Sequence, residues 1–384
     1  MTTRNPARAR ARARRALVIA PLALAVAGLT ACEPPPAPTL TVRVVVRNLD
    51  IPWDLAFTPK GSMFFTERPG RINLRSPDGT VRRLTADLSG LWVSGETGLM
   101  GIAVDPGFDT NRRIYTCQGH QAGTASDVRV VPWVLAAGNT ALTRLGPLVS
   151  GMPASTGRHG GCRLRFAGGR LFIGTGDAAI GTTPQDLFSL GGKVLRVDPS
   201  NGQGVSGNPY ISSANANARR VWSYGHRNVQ GLAVRPKDGS LWSVEHGPDR
   251  DDEVNRGVVG NFGWDPVPGY NESVPMTDTT KFPGAVRAAW SSGYPTVATS
   301  GVTWLSGAGW KAWDDTLAVA ALKDSSLRIM RPSSDGRTLT TIAVLLKGSP
   351  YGRLRTAQIG PRGRLYVTTS NGGGTDMILE ITPS

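Results

Sequence analysis

Histidine is scarce in this 384-residue chain, with four copies, and cysteine is scarcer, with three. No Cys/His spacing of the zinc-binding kind occurs among them, so a zinc site built on those ligands is excluded. Behind the first fifteen residues there is no lysine-arginine block and no alternation of aromatic with basic side chains, which removes the usual footprint of a nucleic-acid binder. The apolar run at residues 16–32 is short for a membrane-spanning helix. Glycine and proline, in contrast, are abundant, at 48 and 28 copies. That is too many for a helical bundle and suits a turn-rich all-β chain, while 40% hydrophobic residues suffice for a substantial core.

The first fifteen residues carry six arginines and no acid, and the apolar run that follows ends in Leu29-Thr30-Ala31-Cys32. A basic segment before a short apolar one has the form of an export signal, and its last four residues resemble the bacterial lipoprotein box. Residues 1–31 are therefore expected to be a lipoprotein-type signal, with Cys32 as the lipidated first residue of the mature chain. The pair Arg14-Arg15 leaves the export route open. Residues 32–39 follow as a proline-rich, extended tether, so the folded part is expected over 40–384. The protein is expected to be exported and lipid-anchored, at the outer face of the cytoplasmic membrane or in the periplasm, touching the membrane only through the anchor.

Residues 1–31 take six charges of the formal +15 with them and leave +9. The remainder suits an anionic ligand or an acidic envelope surface. With Cys32 assigned to lipid, Cys117 and Cys162 are an even pair in an oxidising compartment. A disulfide and two buried thiols both stay open, since sequence does not give their separation.

One pattern recurs along the chain: a short apolar strand, a Gly/Pro/Asp turn, and a second strand rich in Phe, Leu, Ile, Tyr or Trp. Copies start at Asp54, Gly101, Arg163, Gly231, Gly301 and Thr356, spaced 47, 62, 68, 70 and 55 residues apart. Such intervals hold a four-stranded sheet and a loop, the periodicity of blades. Six blades around a channel leave few exposed sheet edges, so the fold expected is an all-β, six-bladed β-propeller. The first strand, L-T-V-R-V-V-V, and the last, M-I-L-E-I-T, should complete one blade together. A pair of β-sandwiches explains the turns but not six matched copies.

Polar clusters lie at the edges of these units: G-E-T-G-L-M-G around Glu96, R-H-G-G-C-R-L around His159, and S-Y-G-H-R-N around Arg227. Others are E-H-G-P-D-R-D-D-E over 245–253, Lys323, and G-R-L-R with Arg353 and Arg355. Together with G-T-G-D, L-G-G-K-V-L-R-V-D and N-F-G-W, in this order from about Asp50 onward, they resemble the glucose/sorbosone dehydrogenase family. Its members are six-bladed propellers that use pyrroloquinoline quinone (PQQ) with calcium to oxidise aldose sugars to lactones.

The resemblance implies that His159 is the base that removes the proton of the anomeric hydroxyl, a role an imidazole can fill near neutral pH. It implies that Arg227 and Asn228 contact the quinone, and that His226 is a structural neighbour. Lys323, Arg353 and Arg355 match the cations that hold the three carboxylates of PQQ. Calcium is implied at the backbone carbonyls of Gly247 and Pro248, with Asp249, Asp251, Asp252 and Glu253 organising the loop. Two positions depart from the glucose dehydrogenases on the sugar side: Glu96 replaces a glutamine of the substrate pocket, and Arg158 replaces an acid. The loops 201–220 and 271–294 differ as well, so the sugar preference does not carry over. The resemblance thus implies an aldose substrate and an external electron acceptor. A calcium-dependent propeller lactonase or esterase and a non-catalytic carbohydrate- or protein-binding propeller are the competing readings.

Overall fold

Each of the six sequence copies folds as two antiparallel strands, the first of which lines the central channel. The inner strands are Pro52–Phe57, Leu99–Val104, Gly161–Ala167, Val229–Val234, Thr299–Leu305 and Leu354–Ile359. Every copy start found in the sequence falls within one of them. Their partners, from Met63–Glu67 to Leu365–Thr369, run back antiparallel; a third and fourth strand complete four of the sheets, while the second and third blades carry six and five strands. Consecutive inner strands pack on one another, and Leu354–Ile359 packs on Pro52–Phe57, so six blades close into a ring. The architecture is the six-bladed β-propeller expected from the repeat. The structure is a computed structural model that describes residues 1–3 and 36–384. Residues 4–35, which hold all but the first three residues of the expected signal, Cys32 and the first half of the tether, lie outside the described residues.

The last blade is built from both ends of the chain. Leu40–Leu49 pairs antiparallel with Asp376–Pro383, and Thr39 and Ser384 extend the ladder by exchanging backbone hydrogen bonds of 3.0 and 2.9 Å. Ring closure therefore rests on this ladder, whose bonds replace ones that water would otherwise make.

Burial falls from channel to rim. Met63–Glu67 and Thr316–Ala321 are buried throughout, whereas the outer strand Val81–Arg83 is wholly exposed. The core fills the gaps between blades, as where Trp242 and Trp304 meet edge to face at 5.5 Å. Each large side chain so buried contributes roughly 1.5–3 kcal/mol.

Three copies begin with glycine for a steric reason. A Cβ on Gly101 would overlap the carbonyl of Cys162, one on Gly231 that of Ser300, and one on Gly301 the backbone of Thr356. At this level neighbouring inner strands touch backbone to backbone. The equivalent residues of the other three blades, Asp54, Arg163 and Thr356, use the space so freed. Arg163 pairs with Asp54, both fully buried, and donates to Thr356 Oγ1 at 3.0 Å, closing the channel with a polar floor.

Cys117 and Cys162 form a disulfide, with Cα atoms 5.5 Å apart. It joins the second strand of the second blade to the inner strand of the third.

Candidate active site

Because inner and second strands are antiparallel, segments that precede an inner strand and segments that follow a second strand share one end of the channel. Glu96, His159, Arg227, Asn228 and Arg353 belong to the first kind, and Gly247, Pro248 and Lys323 to the second. The fold thus gathers residues far apart in sequence at one mouth, above the Asp54–Arg163 floor.

At that end every inner strand carries a register shift, between Pro52 and Asp54 in the first blade and between Leu354 and Thr356 in the last. Such bulges re-aim a side chain. Gln230 and Arg355 occupy two of them and meet, with Arg355 Nη1 donating to Gln230 Oε1 at 3.2 Å. Burial, and next the nearby Arg163 charge, pull the Arg355 guanidinium down to about 9. A cation held so far below its ordinary range is one the site keeps short of anions.

His159 is the most constrained side chain of the mouth. Its Nδ1 lies 2.8 Å from Asp177 Oδ1, and the Tyr270 hydroxyl lies 3.0 Å from the same nitrogen while donating to Asp177 Oδ2 at 2.7 Å. Trp264 Nε1 donates to Asp177 Oδ2 at 2.8 Å. A carboxylate only accepts, so the proton of the neutral ring is assigned to Nδ1, which leaves Nε2 as the basic nitrogen. Burial, and then the Asp177 charge, push the Tyr270 hydroxyl well above its usual range, keeping it a donor. Glycine is needed beside His159 at two facing positions. A Cβ on Gly161 or on the facing Gly176 would overlap the other segment's backbone, and His159 itself sits at φ 53°.

Arg227 and Asn228 follow a buried support. The backbone N–H of Arg227 donates to Glu245 Oε2 at 2.8 Å, and His226 bonds Glu245 Oε1 and Ser223 while stacking on Phe262 at 4.3 Å. His226 is therefore a buried prop, as expected. The Arg227 guanidinium bonds the carbonyl of His246 at 3.1 Å and pairs with Glu272, while its Nε has no partner among the described residues. Asn228 accepts from Gly161 N at 3.1 Å and donates to Glu96 at 3.0 Å. Burial alone would raise the Glu96 carboxyl, but His159, His246, the Asn228 bond and Arg355 outweigh it and hold it below its usual range.

The acidic segment 245–253 does not converge on one point. Asp252, fully buried, accepts from Gly247 N at 3.0 Å and from Val297 N at 2.7 Å, so it organises the loop. Among the described residues no cluster of three or more His, Cys, Asp or Glu is arranged to hold a metal. The carbonyls of Gly247 and Pro248 receive no backbone or side-chain donor there. Lys323 Nζ donates to Thr296 Oγ1 at 3.2 Å, and Arg353 is exposed, with its backbone bonded to Asn371.

Residues 49–379 match the family model described as Glucose / Sorbosone dehydrogenase. The chain belongs to this family. The aldose sugar dehydrogenase YliI of Escherichia coli (strain K12) is 33% identical over 369 residues, covering 90% of this chain and 93% of that protein. Quinoprotein glucose dehydrogenase B of Acinetobacter calcoaceticus is 28% identical over 261 residues, 60% of this chain and 53% of that one. Among solved structures, the PQQ-bound aldose sugar dehydrogenase of Streptomyces coelicolor aligns with a TM-score of 0.74 at 30% identity, covering 91% and 100% of the two chains. These relatives support an oxidoreductase.

Five residues of this mouth escaped sequence reasoning: Asp177, Gln230, His246, Tyr270 and Glu272. Asp177 ends the G-T-G-D motif, whose tight glycine was its signal. Gln230 and His246 lie within quoted motifs, next to the residues selected there. Tyr270 and Glu272 arrive on a long loop without periodicity, whose only signal was that residues 271–294 depart from the glucose dehydrogenases.

Proposed function

We propose that this protein is a PQQ- and calcium-dependent aldose dehydrogenase, oxidising the anomeric carbon to a lactone and passing electrons to an external acceptor. The observation that carries the proposal is the meeting, at one mouth, of a carboxylate-oriented histidine with buried nitrogens that lack partners and with three cations, Lys323, Arg353 and Arg355, that form no ion pair among the described residues. Arg227 Nε and His246 Nε2 are buried without partners among the described residues, and Arg355 is depressed by burial. This donor set fits a small polyanion. The unbonded carbonyls of Gly247 and Pro248 fit a hard cation, on a loop that Asp252 fixes.

Lys323, Arg353 and Arg355 would hold the carboxylates of PQQ, Arg227 and Asn228 its quinone edge, and the two carbonyls the calcium. When bound, PQQ supplies the electron-pair acceptor for the hydride of the anomeric carbon. His159 Nε2 takes the proton of the anomeric hydroxyl, and Asp177 with Tyr270 stabilises the imidazolium that results. Arg227 offers positive charge where negative charge develops.

The test is dye-linked oxidation of an aldose panel by apo-protein, with and without PQQ and calcium. Activity that requires both additions is expected. Hydrolysis of lactones or esters with calcium alone would favour a hydrolase, and failure to bind PQQ would favour a binding propeller. We further assign residues 1–31 to a lipoprotein-type signal, Cys32 to lipidation and 32–39 to a tether, placing an exported enzyme on the envelope. Mass spectrometry of the mature N-terminus tests this, and an unmodified Cys32 would overturn it.

A further inference from the structure

Above His159 the wall of the mouth carries one ion pair that neither the histidine chemistry nor the cofactor set uses. Arg158, the residue before His159, donates from Nη2 to both oxygens of Glu272, at 2.7 and 2.9 Å. Its guanidinium lies over the ring of Tyr270, 5.6 Å from the centroid. The same Glu272 carboxylate pairs with Arg227. One acid, delivered by the loop that also brings Tyr270, thus spans the His159 side and the Arg227 side.

The pair is the accessible part of this wall. Arg158 and Glu272 side chains are 45% and 35% exposed, against 5% for Arg227 and 0% for Asp177. A molecule arriving over His159 therefore meets them before the buried groups. Arg158 uses a single nitrogen on Glu272, which leaves Nη1 and Nε free to donate, and the carboxylate keeps lone pairs to spare. A fixed donor beside a fixed acceptor matches two adjacent hydroxyls, each of which donates and accepts. An anionic sugar is less well received, because the Glu272 carboxylate offsets part of the charge of the two arginines and repels a second carboxylate placed beside it.

We propose that the Arg158–Glu272 pair selects the substrate, taking a vicinal diol of a neutral aldose and turning away sugar acids. This rests on the quinoprotein reading and deepens it. With Glu272 neutralised, two unpaired arginines would face the incoming sugar, and the selection should reverse toward acids.

The experiment compares holo wild type, Glu272→Gln and Arg158→Gln on glucose and on glucuronate, the same ring with a carboxylate at its far end. For Glu272→Gln, KM for glucose should rise about tenfold, as expected for one lost charge-assisted hydrogen bond. The glucuronate-to-glucose ratio of kcat/KM should rise by at least about tenfold. Arg158→Gln should raise KM for glucose without that gain, and Glu272→Asp should restore most of the neutral-sugar preference. A ratio that stays within about twofold in both Gln variants would overturn the proposal.

Titration of each apo-form with PQQ and calcium, followed by quinone absorbance without sugar, separates the two levels. Glu272→Gln should bind the quinone at least as tightly as wild type, since Arg227 is released. Wild type that binds no quinone sinks the quinoprotein reading and this one with it, whereas binding with an unchanged ratio sinks this one alone.

Discussion

His159 Nδ1 and Asp177 Oδ1 lie 2.8 Å apart, with Asp177 fully buried and held in turn by Trp264 and Tyr270. The carboxylate fixes both the ring orientation and the tautomer, so the two residues should act as one unit. His159→Ala is expected to lower kcat by about 10²–10⁴, the usual worth of a general base, with quinone affinity retained. Asp177→Asn removes the charge that stabilises the imidazolium and should cost on the order of a hundredfold. Stopped-flow measurement of quinone reduction reads both, and an unchanged rate in His159→Ala would refute the assignment.

Arg355 contrasts with that pair because no carboxylate pairs with it among the described residues, and its bonds go to neutral groups. It is depressed to about 9, and its bonds to Ser370 and Gln230 are long, at 3.2 Å each. Such a group is held for a ligand at a cost to the free protein. Arg355→Met should weaken PQQ binding by about 2 kcal/mol, or roughly thirtyfold. The apo-protein Tm should not fall. Calorimetry with and without quinone reads both values, and loss of apo stability at unchanged affinity would mark Arg355 as a structural residue.

The blade count and ring closure were legible in the sequence because each blade must bury its own strand pair, and six such pairs left six similar copies. The bulges were not legible, since a one-residue shift leaves the apolar pattern almost intact. The polar floor escaped for another reason: Asp54, Arg163 and Thr356 each began a copy, but only the ring places them together. The motif residues His159, Arg227, Asn228 and Glu96 were found by resemblance, and the structure gathers them at one mouth. Tyr270 and Glu272 sit on a loop shaped by its contacts with the mouth, a relation carried by no local pattern.

The disulfide should matter to the site as well as to the fold. Cys162 lies three residues after His159, in the left-handed region at φ 81°, and Cys117 anchors it to the neighbouring blade across a sequence separation of 45. By chain entropy a loop of that size contributes about 4 kcal/mol. The Cys117→Ala, Cys162→Ala double variant should therefore melt lower, by roughly 5–10 °C for a chain of this length. It should also lose kcat, as the support of the His159 segment slackens. Melting curves with and without reductant provide the check, and coincident curves would show that the bond carries no stability.

Glu253 gives the fold a pH dependence whose sign can be worked out. Burial, and next the Glu245 charge, push its carboxyl from 4.5 up to about 8, while Thr277 donates to it at 2.9 Å and Asn255 bridges it to Glu245. Between those two values the folded chain keeps a proton that the unfolded chain releases. The associated stability is therefore fully present below about 4.5 and is lost as pH rises through about 8. Glu253→Gln keeps a neutral group of the same shape and removes the titration. Its Tm should match wild type near pH 5 and exceed it by about 5 °C near pH 9, while other groups act equally on both proteins. Parallel Tm profiles across that range would show that the carboxyl does not titrate there.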